Sequence, residues 1–103
     1  MRAKLSNQLV DLAVDHFGAE SLEELLGPSR APHLVQARRA IWLVGLDVLG
    51  WFPTHLATIT NRHVATTKHG IKQARAQLRV DPVFFDAVEQ LSSEIRNIAH
   101  VST

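Results

Sequence analysis

Apolar residues in this chain recur at intervals of three and four almost from end to end, and no segment alternates with period two. Side chains three and four apart share one face of an α-helix, whereas a half-buried strand requires alternation. The pattern therefore predicts an all-α domain of about five to six helices and no sheet. From Ala3 to Phe17, Leu5, Leu9, Val10, Leu12, Ala13 and Phe17 form an apolar stripe among Lys4, Asn7, Gln8, Asp11 and Asp15. Gly18 supplies the left-handed residue that ends such a helix. Ser21 and Glu24 have the spacing of a capping box, in which hydroxyl and carboxylate each satisfy a free amide at a helix start. The helix they open is short, closed by Gly27 and Pro28, and its Leu22, Leu25 and Leu26 are expected to pack on the first helix.

After a polar joint from Ser29 to Pro32, helical spacing resumes at His33 through Leu34, Ala37, Ile41, Val44, Val48 and Leu49. Between Ala40 and Leu46 the chain is apolar nearly all round, which marks the central buried helix, with Trp42 and Trp51 as core candidates. Gly50 breaks this helix. Pro53 fits the first turn of the next, where a missing amide hydrogen costs nothing, and Leu56, Ala57 and Ile59 give that short helix an inward edge. Thr60 and Asn61 are turn and N-cap residues for a helix from Arg62 or His63 to Leu78. Val64, Thr67, Ile71, Ala74 and Leu78 are its expected core face, and Arg62, Ala65, Thr66, His69, Lys72 and Gln73 its outer face. Asp81 and Pro82 cap a last helix with Phe84 or Phe85, Val88, Leu91, Ile95 and Ile98 inward, and the final few residues are expected to fray.

A length of 103 residues suits one modest core. Residues 1–29 are expected to be a helical extension packed on a domain spanning 30–103. Cysteine is absent, which excludes disulfides, thiolate metal sites and cysteine nucleophiles. The longest apolar run, Ala40 to Phe52, contains Asp47 and two glycines and is too short for a membrane span. The N-terminus lacks the apolar core of a signal peptide. A cytoplasmic, nucleoid-associated protein that does not engage membrane is the expectation.

Charge is unevenly divided. Residues 30–79 carry eight basic side chains against the single carboxylate of Asp47, a net +7, while 1–29 and 80–103 are each net −3. A polyanion would be drawn to the middle segment and discouraged from the ends. That segment holds a short helix, a polar turn and a basic helix, the arrangement of a helix-turn-helix whose second helix enters a DNA groove. Ala65, Thr66 and Gly70 are small enough to let the backbone approach bases or phosphates. Arg38 and Arg39 lie in the N-terminal half of the central helix, where cations oppose the dipole, so they either meet an external anion or lay solvated stems on the surface. The candidate DNA-contacting set is Arg38, Arg39, Thr54, Asn61, Arg62, His63, Val64, Ala65, Thr66, Lys68, His69 and Lys72. The six histidines are scattered and without carboxylate or thiolate company, so no metal, cofactor or catalytic centre is expected.

Four stretches carry a resemblance: ARRAIWLV at 37–44, FPTHLATI at 52–59, TNRHVATTKHG at 60–70 and DPVFFDAVEQL at 81–91. From Val35 to about Ile95 the chain resembles the C-terminal DNA-binding domain of the bacterial chromosomal replication initiator DnaA, a helix-turn-helix domain of the Trp repressor-like group. The resemblance implies that Arg38 reaches into the minor groove, that Arg62 and Lys72 contact phosphate, and that Thr66 and His69 stand at signature positions. The family's base-reading Asp-His-Thr triplet is replaced by His63, Val64 and Ala65. The lost aspartate removes an acceptor for a cytosine amino group, while Val64 and Ala65 can meet a thymine methyl. A site other than the initiator's own box is therefore expected. No phosphate-cradling glycine-rich loop is present, so ATP hydrolysis is not expected.

These features point to a non-enzymatic, sequence-specific binder of double-stranded DNA that regulates transcription, delivering itself or a partner such as RNA polymerase to a promoter. The chain also resembles the small stand-alone initiator-like activators of phage-like elements and gene transfer agents. A replication-control protein competing with the initiator at an origin is an alternative. From another class comes an interaction module that binds protein through its first helix and the Trp42/Trp51 region. Pairing through the apolar face of the first helix is left open.

Overall fold

A computed structural model of the chain describes residues 2–101. They form α1 (Arg2–Phe17), α2 (Leu22–Leu26), α3 (Pro32–Asp47), α4 (Pro53–Ile59), α5 (Val64–Val80) and α6 (Pro82–Val101), and no strand occurs among the described residues. The all-α architecture follows the periodicity. A helix apolar on every side must be surrounded, and α3, buried continuously from Ala40 to Gly45, touches the other five helices. Leu9, Val10 and Ala13 of α1 and Leu25 of α2 join the cluster formed by Leu34, Ile41 and Val44 of α3, Leu56 of α4, Ile71 and Ala74 of α5, and Phe84, Val88, Leu91 and Ile95 of α6. Residues 1–29 thus contribute to the same core as the rest of the chain.

Most helix ends fall where local chemistry puts them. Gly18 and Gly50 have φ of +72° and +68°, in the region that side chains with a Cβ rarely enter. Pro32, Pro53 and Pro82 each open a helix. The Asp81 carboxylate accepts from the Phe84 amide at 3.0 Å, and that bond, followed by one from Gln77, holds its pKa below the usual carboxylate value.

Other ends differ from expectation. The central helix starts at Pro32 rather than His33, because proline is itself suited to the first turn. The Ser21 hydroxyl accepts from the Glu24 amide at 3.1 Å, but the Glu24 carboxylate reaches back to the amide of Glu20, so the reciprocal half of the box is displaced by one residue. With only five residues, α2 presents a single face to the core. Leu25 takes it, and Leu22 stays 41 % exposed. Asn61 does not cap α5. It occupies the left-handed region at φ +54°, which asparagine tolerates better than most residues, and His63 becomes the N-cap. The helix therefore begins at Val64, whose side chain is partly exposed rather than in the core. The fraying expected of the final residues concerns Ser102 and Thr103, which lie outside the described residues.

Trp42 fixes α5 against α3. Its indole lies over Gly70, where an added Cβ would collide with ring carbon Cζ3 and stand 2.8 Å from Cε3. Gly70 is thus buried against tryptophan and is not the close-approach point for DNA that its size suggested. The indole N–H donates to the Thr60 hydroxyl at 3.0 Å, which in turn donates to the Leu56 carbonyl at 2.8 Å. Both polar groups are satisfied in the interior. Replacing Gly70→Ala should cost about 1–3 kcal/mol from overpacking, outweighing alanine's better helix propensity of about 1 kcal/mol. Urea unfolding measures the difference; an unchanged or raised stability would contradict the contact.

Candidate nucleic-acid interface

A concavity of about 1010 Å³ opens between α3, α5, the turn joining α4 to α5, and the loop joining α2 to α3. Its floor comprises the buried residues Trp42, Arg38, Ala57 and Gly70. Arg39 and Val35 stand on the α3 side, Thr66, His69 and Gln73 on the α5 side, Asn61, Arg62 and His63 at the turn, and Pro28 and Arg30 on the loop. Four arginines and two histidines line it, and no carboxylate does. Water alone does not balance that charge cheaply in a recess, so the groove suits an anion.

Seven residues of the expected contact set meet here: Arg38, Arg39, Asn61, Arg62, His63, Thr66 and His69. Thr54, Val64, Ala65, Lys68 and Lys72 are exposed but lie outside the groove lining. Val64, Ala65 and Lys68 nevertheless belong to the first turns of α5, beside the groove's His63 rim. That helix start has no acidic residue in its first turn and no side chain bonded at its N-cap, so its free amides add to the positive potential.

Arg38 differs most from expectation. It is only 4 % exposed, and its guanidinium donates to the carbonyls of Leu25 at 2.8 Å, Ser29 at 2.7 Å and Gly27 at 3.1 Å. The carbonyls left over at the end of α2 need donors, and a guanidinium with its fixed fork of N–H groups supplies several at once. Arg38 is therefore a loop anchor in this structure and does not extend outward to a minor groove. Burial, and then the neighbouring Arg62 charge, lower its pKa to about 10, which keeps it protonated at neutral pH.

Arg62 is drawn to the same carbonyls. It donates to Gly27 and Leu26 as well as to Thr60 and Asn61, and burial lowers its pKa. The Asn61 side-chain amide also donates to the Leu26 carbonyl at 3.2 Å. Arg62, expected to contact phosphate, thus has structural partners in this structure: the end of α2 is clasped from α3 by Arg38 and from the turn by Asn61 and Arg62. Two like charges converge here with neutral acceptors only, among the described residues, so the floor keeps its positive charge.

Arg30 and Gln73 line the groove although the sequence pattern did not single them out as contacts. Arg30 was visible as the one cation of the polar joint; what was missing was that the α2–α3 loop folds over α3 toward the turn. Among the described residues no helix is long and apolar enough to cross a membrane, and no three His, Asp or Glu side chains are grouped to hold a metal ion. No protein-family model, curated protein or solved structure gives a significant match to this chain.

Replacing Arg38→Met takes the guanidinium from the carbonyls of Leu25 and Ser29, while that of Gly27 keeps Arg62, and a buried acceptor left without its donor costs about 1–3 kcal/mol. The expected loss is roughly 2–4 kcal/mol in denaturant unfolding. A loss under about 0.5 kcal/mol, the range of an ordinary surface change, would show that Arg38 does not anchor the loop.

Proposed function

We propose that this chain is a sequence-specific double-stranded DNA-binding protein that acts in transcription control and has no ATPase activity of its own. The observation that carries the reading is the groove: a concave, carboxylate-free surface with basic side chains from α3, the α2–α3 loop and the turn, bordered by the exposed first turns of a 17-residue helix. Nucleic-acid backbones are bound by such surfaces because each neutralised phosphate releases counterions. The acidic outer residues of α6, Asp86, Glu89 and Glu94, are exposed away from the groove lining and would keep the rest of the surface from coating the polymer.

The resemblance to the initiator's DNA-binding domain supports the same reading. Its four stretches fall on α3, on the whole of α4, on the turn with the first half of α5, and on α6. The four-residue link from Thr60 to His63 has the length of a helix-turn-helix turn. On this reading α5 is the recognition helix. His63 and Thr66 supply polar groups to base edges, Val64 and Ala65 face thymine methyls, and Arg30, Arg39 and Lys72 meet phosphates.

Fluorescence anisotropy with labelled duplexes over a range of salt tests this directly. With three to four phosphates neutralised, log affinity should fall against log salt with a slope of about −3. Arg30→Ala should weaken all duplexes alike and reduce the slope by about 1, while His63→Ala should relax sequence preference by roughly 1–3 kcal/mol at one base pair. Salt-insensitive association, or none with any duplex, would overturn the proposal.

A further inference from the structure

Two arginine bridges tie α3 to α5, and they are built differently. Arg75 of α5 meets the Asp47 carboxylate of α3 through two bonds of 3.0 and 2.7 Å, a neutralised pair that lies outside the groove lining. That hydrogen-bonded carboxylate raises the arginine's pKa. On the groove side the partner is neutral. Arg39 of α3 donates to the side-chain oxygens of Gln77 at 2.9 Å and Gln73 at 3.0 Å. Its guanidinium is thus held at two points without losing charge.

The orientation of Gln77 is itself fixed. Its amide nitrogen donates to the Asp81 carboxylate at 3.1 Å, which leaves only its oxygen for the guanidinium. Asp81 is anchored in turn by the Phe84 amide at the start of α6. A glutamate at 77 or 73 would make the stronger bridge, as Asp47 does for Arg75, but would cancel the charge. Glutamine gives up bond strength and keeps the cation. An arginine held in this way has already given up much of the side-chain freedom that binding a phosphate would otherwise cost.

We infer that Gln77 and Gln73 are positioning residues that hold the Arg39 guanidinium at the groove edge with its charge uncompensated, so that it meets a backbone phosphate of bound duplex. The inference rests on the DNA-binding reading and adds to it which residues set the strength of one phosphate contact.

The test is a charge-swap cycle in the full chain, read by anisotropy with a random-sequence duplex across potassium chloride concentrations. Gln77→Glu gives up its bond to the Asp81 carboxylate and sets two carboxylates side by side, so its melting temperature should fall below wild type while the chain still folds. It should bind about eightfold more weakly near 0.1 M salt, with a log-log slope shallower by about 0.9, the signature of one lost phosphate contact. In an Arg39→Ala background the same Gln77→Glu change should have little further effect, because the cation it would neutralise is gone. Equal weakening in both backgrounds would mean that the new carboxylate simply repels DNA, and would overturn the inference. So would wild-type affinity and slope in Gln77→Glu. If Gln77→Glu fails to fold, Gln73→Glu runs the same cycle with the same outcomes. Wild-type protein that binds no duplex overturns the DNA reading itself, whereas wild-type binding with an unresponsive Gln77→Glu overturns only the role given to the glutamines.

Discussion

The packing of the Trp42 indole over Gly70, with its N–H on the Thr60 hydroxyl, is the contact on which the geometry of the groove depends. It sets how closely α5 lies on α3, and through Thr60 it ties α3 to the end of α4, so both sides of the turn are positioned by one side chain. The groove floor is the outer edge of this contact. Because the interior is close-packed, a displacement of the indole cannot be absorbed locally and would shift the helix that carries His63, Thr66 and His69.

A second tie acts on the opposite rim. The carbonyls at the end of α2 are met by Arg38 from below and by Asn61 and Arg62 from the turn, so the loop bearing Arg30 is held at the groove's edge. Charge does two jobs here. Arg38 and Arg62 satisfy backbone acceptors and, having no carboxylate among their described partners, still leave their charge to the groove. Arg39 keeps its charge by leaning on glutamine oxygens. Arg75, which does not face the groove, is neutralised by Asp47.

Much of the fold was legible in the sequence because its signals are local. Gly18, Gly50, Pro53 and the Asp81–Pro82 pair mark helix ends by backbone chemistry, and the inward positions Leu9, Ile41, Leu56, Ile71, Val88 and Leu91 follow from spacing alone, whereas the choice of Phe84 over Phe85 does not. The parts that were not legible depend on what lies across space. Arg38 and Arg39 are neighbours in one basic run, and nothing local says that one turns inward to carbonyls 9 to 13 residues earlier while the other crosses to α5. Gly70 has the look of a glycine kept small for a ligand, and the partner that fills its space is the indole of Trp42, 28 residues away in sequence. Asn61 suits a cap or a left-handed turn equally by residue type, and the close docking of the turn on α2 selects the second. Of the contact set, the residues on the inner side of α5 and the turn converge on the groove. Thr54, Val64, Ala65, Lys68 and Lys72, placed by sequence position, fall outside its lining.

The central claim is that the groove between α3, α5 and the α2–α3 loop is where duplex DNA sits. Amide and arginine side-chain NMR spectra of the full chain, recorded with and without a short duplex, test this most directly. The account predicts shifts concentrated at Arg30, Arg39, His63, Thr66 and His69, with the Arg39 side-chain signals among the largest and the outer face of α6 at Glu89 and Glu94 unmoved. Shifts centred on α1 or α6, with the groove residues unchanged, would contradict it.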